Sequence, residues 1–136
     1  MMMSPFLEWY LTLDKPYWTP APQVIRTIWL ILYPILFFSF GYIFFLFVRQ
    51  RIPGWVALPF LLNLIANLAF MPIQAGLRNL WLASVDILLV WVSLVWAMIA
   101  VWPHVRWVAL VQIPYFIWVS IATVLQLMIT GMNPRA

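Results

Sequence analysis

The chain has 136 residues, of which 67% are hydrophobic and 7% charged, against roughly 45–50% and about 25% in soluble proteins. So few charges leave no surface for water, and a net charge of +4 without any basic cluster excludes a nucleic-acid groove. The absence of cysteine excludes disulfides and thiol chemistry.

The first residues do not form a secretory signal, because positions 1–14 lack a basic region and a sustained apolar core. The stretch SPFLEWYLTLDKPYWTPAP (4–22) mixes aromatics, charges and prolines. It is expected to form an interfacial loop over about residues 1–23, since Trp and Tyr favour the headgroup layer and Pro16, Pro20 and Pro22 oppose an early helix.

Four charge-free runs follow, at 27–48, 52–77, 87–105 and 107–134. Each reaches or approaches the roughly 20 residues that a helix needs to cross a bilayer. Runs this long suit helices rather than barrel strands. The predicted helices lie near 24–48, 53–75, 80–102 and 106–131, and the whole chain, 1–136, reads as one all-α integral membrane bundle. Its short turns, RQRIPG, GLRNL and WPHVRW, imply antiparallel neighbours. Basic residues divide three against four between the two sides and fix no orientation.

The first predicted helix carries Trp29 and Tyr33 four positions apart, on one face, with Pro34 expected to kink it. The second ends in NLAFMPIQAG (67–76), where Asn67 and Phe70 share a face and Pro72 removes a backbone donor. A kink beside an amide and an aromatic can open a concavity; a packed seam is the other reading. The third helix carries Asp86, the one acid within the apolar runs, read as a structural residue near the helix start. The fourth holds Pro114, Tyr115, Trp118 and Gln126. Asn63 and Gln126 are expected to bond across helices. Trp9, Trp18, Trp55, Trp81, Trp102 and Trp107 fit an interface belt.

Hydrolytic and phosphoryl-transfer chemistry has no visible equipment. One histidine, His104, and three acids make neither a metal cluster nor a carboxylate pair, and there is no glycine-rich phosphate loop.

Three motifs in order resemble the TspO/MBR family of tryptophan-rich sensory and translocator proteins. Trp9, Tyr10, Lys15, Pro16, Trp18 and Pro20, then Val24, Trp29 and Tyr33, match its first. Asn67, Phe70, Pro72 and Gly76 match the second, and Pro114, Tyr115, Trp118, Val119, Ala122, Leu125 and Gln126 the third. The resemblance implies a five-helix bundle with an aromatic pocket lined by Trp29, Tyr33, Asn67, Phe70, Tyr115 and Trp118. It implies a lid loop carrying Trp9, Lys15 and Trp18, and helix kinks at Pro34, Pro72 and Pro114. Family members bind porphyrins and other tetrapyrroles, so the expected ligand is protoporphyrin IX, haem or another apolar molecule, with Lys15 or Arg26 meeting its propionates. No cofactor is expected to be required.

The implied role is a receptor or carrier with regulatory or stress-sensing output. The alternatives are light- and oxygen-dependent porphyrin degradation through Trp29 and Trp118, or a structural, partner-binding role. The resemblance also implies homodimerisation, for which Ala66 and Ala69 offer small residues, and a bacterial or mitochondrial outer membrane.

The sequence departs from the family pattern in three ways. Only eight residues precede Trp9, where the family has a further transmembrane helix, so a truncated or mis-assigned start is expected, with a natural four-helix variant as the other reading. Phe70 replaces the motif tryptophan and Gln126 the motif asparagine. No tyrosine follows the last helix to form a sterol motif.

Overall fold

A computed structural model of the chain describes residues 11–71, 73 and 79–133. These form five helices: α1 (Pro22–Val48), α2 (Gly54–Met71), α3 (Leu80–Val101), α4 (Arg106–Val111) and α5 (Ile113–Met132). There is no strand among the described residues. Three spans, Pro22–Val48, Leu80–Val101 and the α4–α5 stretch Arg106–Met132, have the length and apolar character to cross a membrane; α2 is apolar and shorter. The residues most open to the surroundings include Phe37, Phe38, Leu89, Val92 and Ile99. An outer surface built of such side chains belongs in lipid.

The helix ends follow local chemistry. Pro22 opens α1, where its missing N–H costs nothing. At the other end the Gln50 N–H reaches the Phe47 carbonyl (3.0 Å) and the Arg51 N–H the Leu46 carbonyl (2.8 Å). This paired closure needs a left-handed residue, and Gln50 supplies it with φ of 57°. Asn79 caps α3 by accepting from the Leu82 N–H at 3.0 Å. α1 runs through Pro34, and α2 through Pro59, as continuous helices. Pro72 and Trp9 lie outside the described residues.

The expected fourth helix is two. The Gln112 N–H closes a tight turn on the Ala109 carbonyl (3.2 Å), and α5 restarts from the Gln112 carbonyl, which accepts from the Phe116 N–H at 2.7 Å. Pro114 has no N–H to continue the ladder, so the spiral breaks there.

The centre of the bundle is α3, which packs along both α2 and α5, whereas α1 touches α2 and α4 more sparsely. Ala83, Ala97 and Ala100 on α3 are buried and let neighbouring backbones approach. The core joins Leu32, Leu36, Phe40 and Ile43 of α1 to Val56 and Phe60 of α2 and Leu94 and Val101 of α3. Phe40 and Phe60 meet edge to face at 5.0 Å.

Tryptophan marks the helix ends: Trp18, Trp55, Trp81, Trp102 and Trp107 are all exposed. His104 leans on Trp55 at 5.8 Å, and the Arg106 guanidinium lies 5.4 Å from the Trp102 ring. These are the contacts of an interfacial belt.

Candidate functional site

The rings gather where α1, α2 and α5 face one another. Trp29 and Tyr33 are one helical turn apart on α1 and stack at 5.4 Å with 28° between their planes. From α5, the Tyr115 ring meets Trp29 at 6.2 Å and the Trp118 ring meets it edge-on at 6.5 Å. Tyr115 and Trp118 are buried, Trp29 is half-buried and Tyr33 is 48% exposed. The cluster therefore has a closed rear and an open front.

Amides from α2 fix the rear. The Asn67 Nδ2 donates to the Tyr115 hydroxyl at 2.7 Å, and that hydroxyl donates to the Asn63 Oδ1 at 2.9 Å. Asn63 is fully buried, and its Nδ2 donates to the Val90 carbonyl (2.9 Å) and the Ser93 Oγ (3.2 Å). One chain of hydrogen bonds thus ties α2, α3 and α5 at the level of the rings. The Asn67 Oδ1 has no partner among the described residues, and neither does the buried Trp118 Nε1.

In front of the rings lies a cavity of about 760 Å³ between α1 and α2. Tyr33, Asn63 and Asn67 border its upper half; Phe40, Gly41, Phe44 and Phe45 border its lower half. That volume falls in the range of small-molecule sites, roughly 300–1,000 Å³.

The resemblance implied a pocket lined by six residues. Tyr33 and Asn67 line the cavity, while Trp29, Tyr115 and Trp118 form the layer behind them. Phe70 is half-buried near the end of α2 and stacks on no ring among the described residues. Pro114 sits at the start of α5, one residue before Tyr115.

The described part of the expected lid docks elsewhere. Leu13 is buried against Leu80, Leu125 and Ile129, at the ends of α3 and α5. The Asn133 Nδ2 donates to the Asp14 carbonyl at 2.8 Å, and its Oδ1 accepts from the Asp14 N–H at 3.0 Å. Lys15 donates to the Leu13 carbonyl at 2.9 Å, and Trp18 lies in an exposed turn; neither borders the cavity.

Asp86 lies within the first two turns of α3, near the helix start as expected, but it does not face the interface. It is buried inside the bundle, 6% exposed, and its Oδ2 has no partner among the described residues. Gln126, expected to bond across helices, instead donates to the Thr130 Oγ1 at 3.3 Å on its own helix, one turn away. That hydroxyl also pairs with the Ser84 Oγ at 2.6 Å, which joins α5 to α3.

Sequence reasoning missed two things. The first is Gln112, fully buried, whose Nε2 donates to the Ser39 Oγ of α1 at 2.8 Å. An amide two residues before Pro114 was the signal available. The second is the lower cavity, which a phenylalanine-rich helix face cannot be told from by composition alone. No group of three metal-ligating side chains occurs among the described residues.

The TspO/MBR family model matches residues 1–132. The chain is 40% identical over 82 residues to the tryptophan-rich protein TspO of Bacillus cereus, a match covering 60% of this chain and 52% of that one. It is 35% identical over 127 residues to the uncharacterized membrane protein YtaB of Bacillus subtilis, covering 93% of this chain and 81% of that one. The matched region thus spans about half the length of the first relative and about four fifths of the second. With an all-helical membrane bundle that carries the three motifs in order, the chain belongs to the TspO/MBR family.

Proposed function

We propose that this membrane protein is a receptor or carrier for porphyrins or related tetrapyrroles, with a regulatory or stress-sensing role. The observation that carries the reading is the open face of the Trp29–Tyr33 stack beside a cavity of about 760 Å³. A planar macrocycle laid on Tyr33 extends that stack, and its large π face gains from offset stacking. The Asn67 Oδ1, without a partner among the described residues, is an acceptor for a pyrrole N–H or a polar edge group. Arg26 lies two turns before Tyr33 on the same face of α1 and is exposed, so its guanidinium is suited to a propionate at the membrane surface. Lys15 is less suited, since its Nζ already donates to the Leu13 carbonyl.

The test is a dark titration of the purified protein with protoporphyrin IX, followed by Trp quenching and the Soret band. Saturation at micromolar concentration or below, weakened at least about tenfold in Tyr33→Leu and Asn67→Ala, supports the reading; a loss near 1.4 kcal/mol has that size. Linear quenching, the same in all three proteins, would sink it. A second reading, light- and oxygen-dependent porphyrin degradation, is favoured by the Trp29–Trp118 ring contact at 6.5 Å. Illumination of the complex should then give a new absorbing product that Trp118→Phe fails to form. Unchanged porphyrin under light removes that reading.

A further inference from the structure

Two turns lie side by side at one end of the bundle. One joins α1 to α2 through Arg49 and Arg51, the other joins α3 to α4 through His104, and the Trp55 and His104 rings meet across them at 5.8 Å. Arg49, Arg51 and Arg106 are exposed there. No acid accompanies them among the described residues. Asp14 is bonded to Asn133, past the opposite end of α5, and Asp86 lies in the first two turns of α3, also towards that opposite end. Two helices end here and two helical stretches begin, so their dipoles offset one another and the charge of the arginines remains.

Beneath Arg106 a groove of about 360 Å³ runs between α3 and the α4–α5 stretch. Met98, Ile99 and Trp102 form one wall, and Ala109, Leu110 and Ile113 form the other. The spacing puts Arg106 on the face of α4 that carries Ala109 and Leu110. Its guanidinium lies 5.4 Å from the Trp102 ring, so a cation held on an aromatic face stands at the mouth of the groove. From Arg106 to Ile113 the chain descends about 10 Å, from the interface into hydrocarbon. Ile99, Leu110 and Ile113 are exposed, so the groove opens sideways to the bilayer. A positive group at headgroup level above an apolar channel is the complement of an anionic phospholipid.

We infer that this groove is a binding site for one anionic phospholipid of the phosphatidylglycerol type, with its phosphate on Arg106 and an acyl chain between α3 and the α4–α5 stretch. The inference is independent of the proposed function. A guanidinium offers a phosphate two parallel N–H donors. The acyl chain leaves one apolar medium for another, so it gains only packing, and the headgroup decides which lipid is preferred. Arg49 and Arg51 strengthen the attraction at the same surface.

The test is native mass spectrometry of the protein in a neutral detergent, titrated with phosphatidylglycerol or with phosphatidylcholine of the same acyl chains. The wild type should hold one phosphatidylglycerol about fivefold more tightly, the size of one basic contact at a membrane surface. Arg106→Gln should lose most of that preference, and Arg106→Lys should recover part of it. Leu110→Trp, which fills the groove, should weaken both lipids. Circular dichroism checks that each variant keeps its helices. Equal affinity for the two lipids in the wild type overturns the inference, as does a preference that survives Arg106→Gln or binding unchanged in Leu110→Trp. Displacement of the lipid by free glycerol phosphate overturns it too, because the site would then take a phosphate alone.

Discussion

The helices α1 and α3 have similar composition and opposite surroundings. In α3, 50% of the most apolar stretch is buried; in α1 the figure is 28%. α3 is held by polar bonds: Val90 and Ser93 receive Asn63, Ser84 meets Thr130, and the Trp91 Nε1 donates to the Ser120 Oγ at 3.0 Å. α1 is held mainly by rings, through Phe40 on Phe60 and Trp29 on Tyr115 and Trp118, with one polar pin from Gln112 to Ser39. Inside a membrane the hydrophobic effect does not pull helices together, so polar bonds and close packing decide which seams are firm. The bundle thus has a firm half around α3 and a looser half where the cavity opens.

The largest expected effect is at Asn63. Asn63→Leu strands the Tyr115 hydroxyl and loses both bonds to α3, and should cost about 2 kcal/mol of stability. A titration with denaturing detergent, read by Trp fluorescence, measures it. An unchanged midpoint would break the contrast between the two halves. Thr130→Val removes the link from α5 to Ser84 and to the Leu80 carbonyl, and should cost about 0.6 kcal/mol, the usual worth of such bonds between membrane helices. The same titration reads that smaller shift. Ile31→Leu, on the exposed face of α1 and outside the cavity lining, should fall within about 0.5 kcal/mol of zero. A larger cost would mean that α1's outer face is covered by something, and would sharpen the comparison by naming which side of α1 is spoken for.

The sequence made the helices legible because lipid demands long uncharged runs, and those runs end at RQRIPG, GLRNL and WPHVRW. The break at Gln112 was hidden, since Pro114 within an apolar run reads equally as a kink or as a new start. Trp29, Tyr33, Tyr115 and Trp118 could be paired from their spacing and motifs, and they do meet. The cavity could not be read in advance. Whether Phe37, Phe40 and Phe44 interlock with a neighbour or stand clear of it depends on how far α1 sits from α2, and no residue pattern encodes that distance. Asp86 shows the same limit: helix position alone did not reveal that it turns inward.

Asn133 and Asp14 are 119 positions apart and bonded in both directions. That contact makes the described chain a near-closed circle. A permuted gene that links the two ends of the chain and opens it at the exposed Arg49–Arg51 turn would keep the five described helices in their places. In such a protein α1 would come last instead of first in synthesis. The membrane would receive the firm half before the loose one, and whether that order matters for building the cavity would become a question about insertion rather than about sequence.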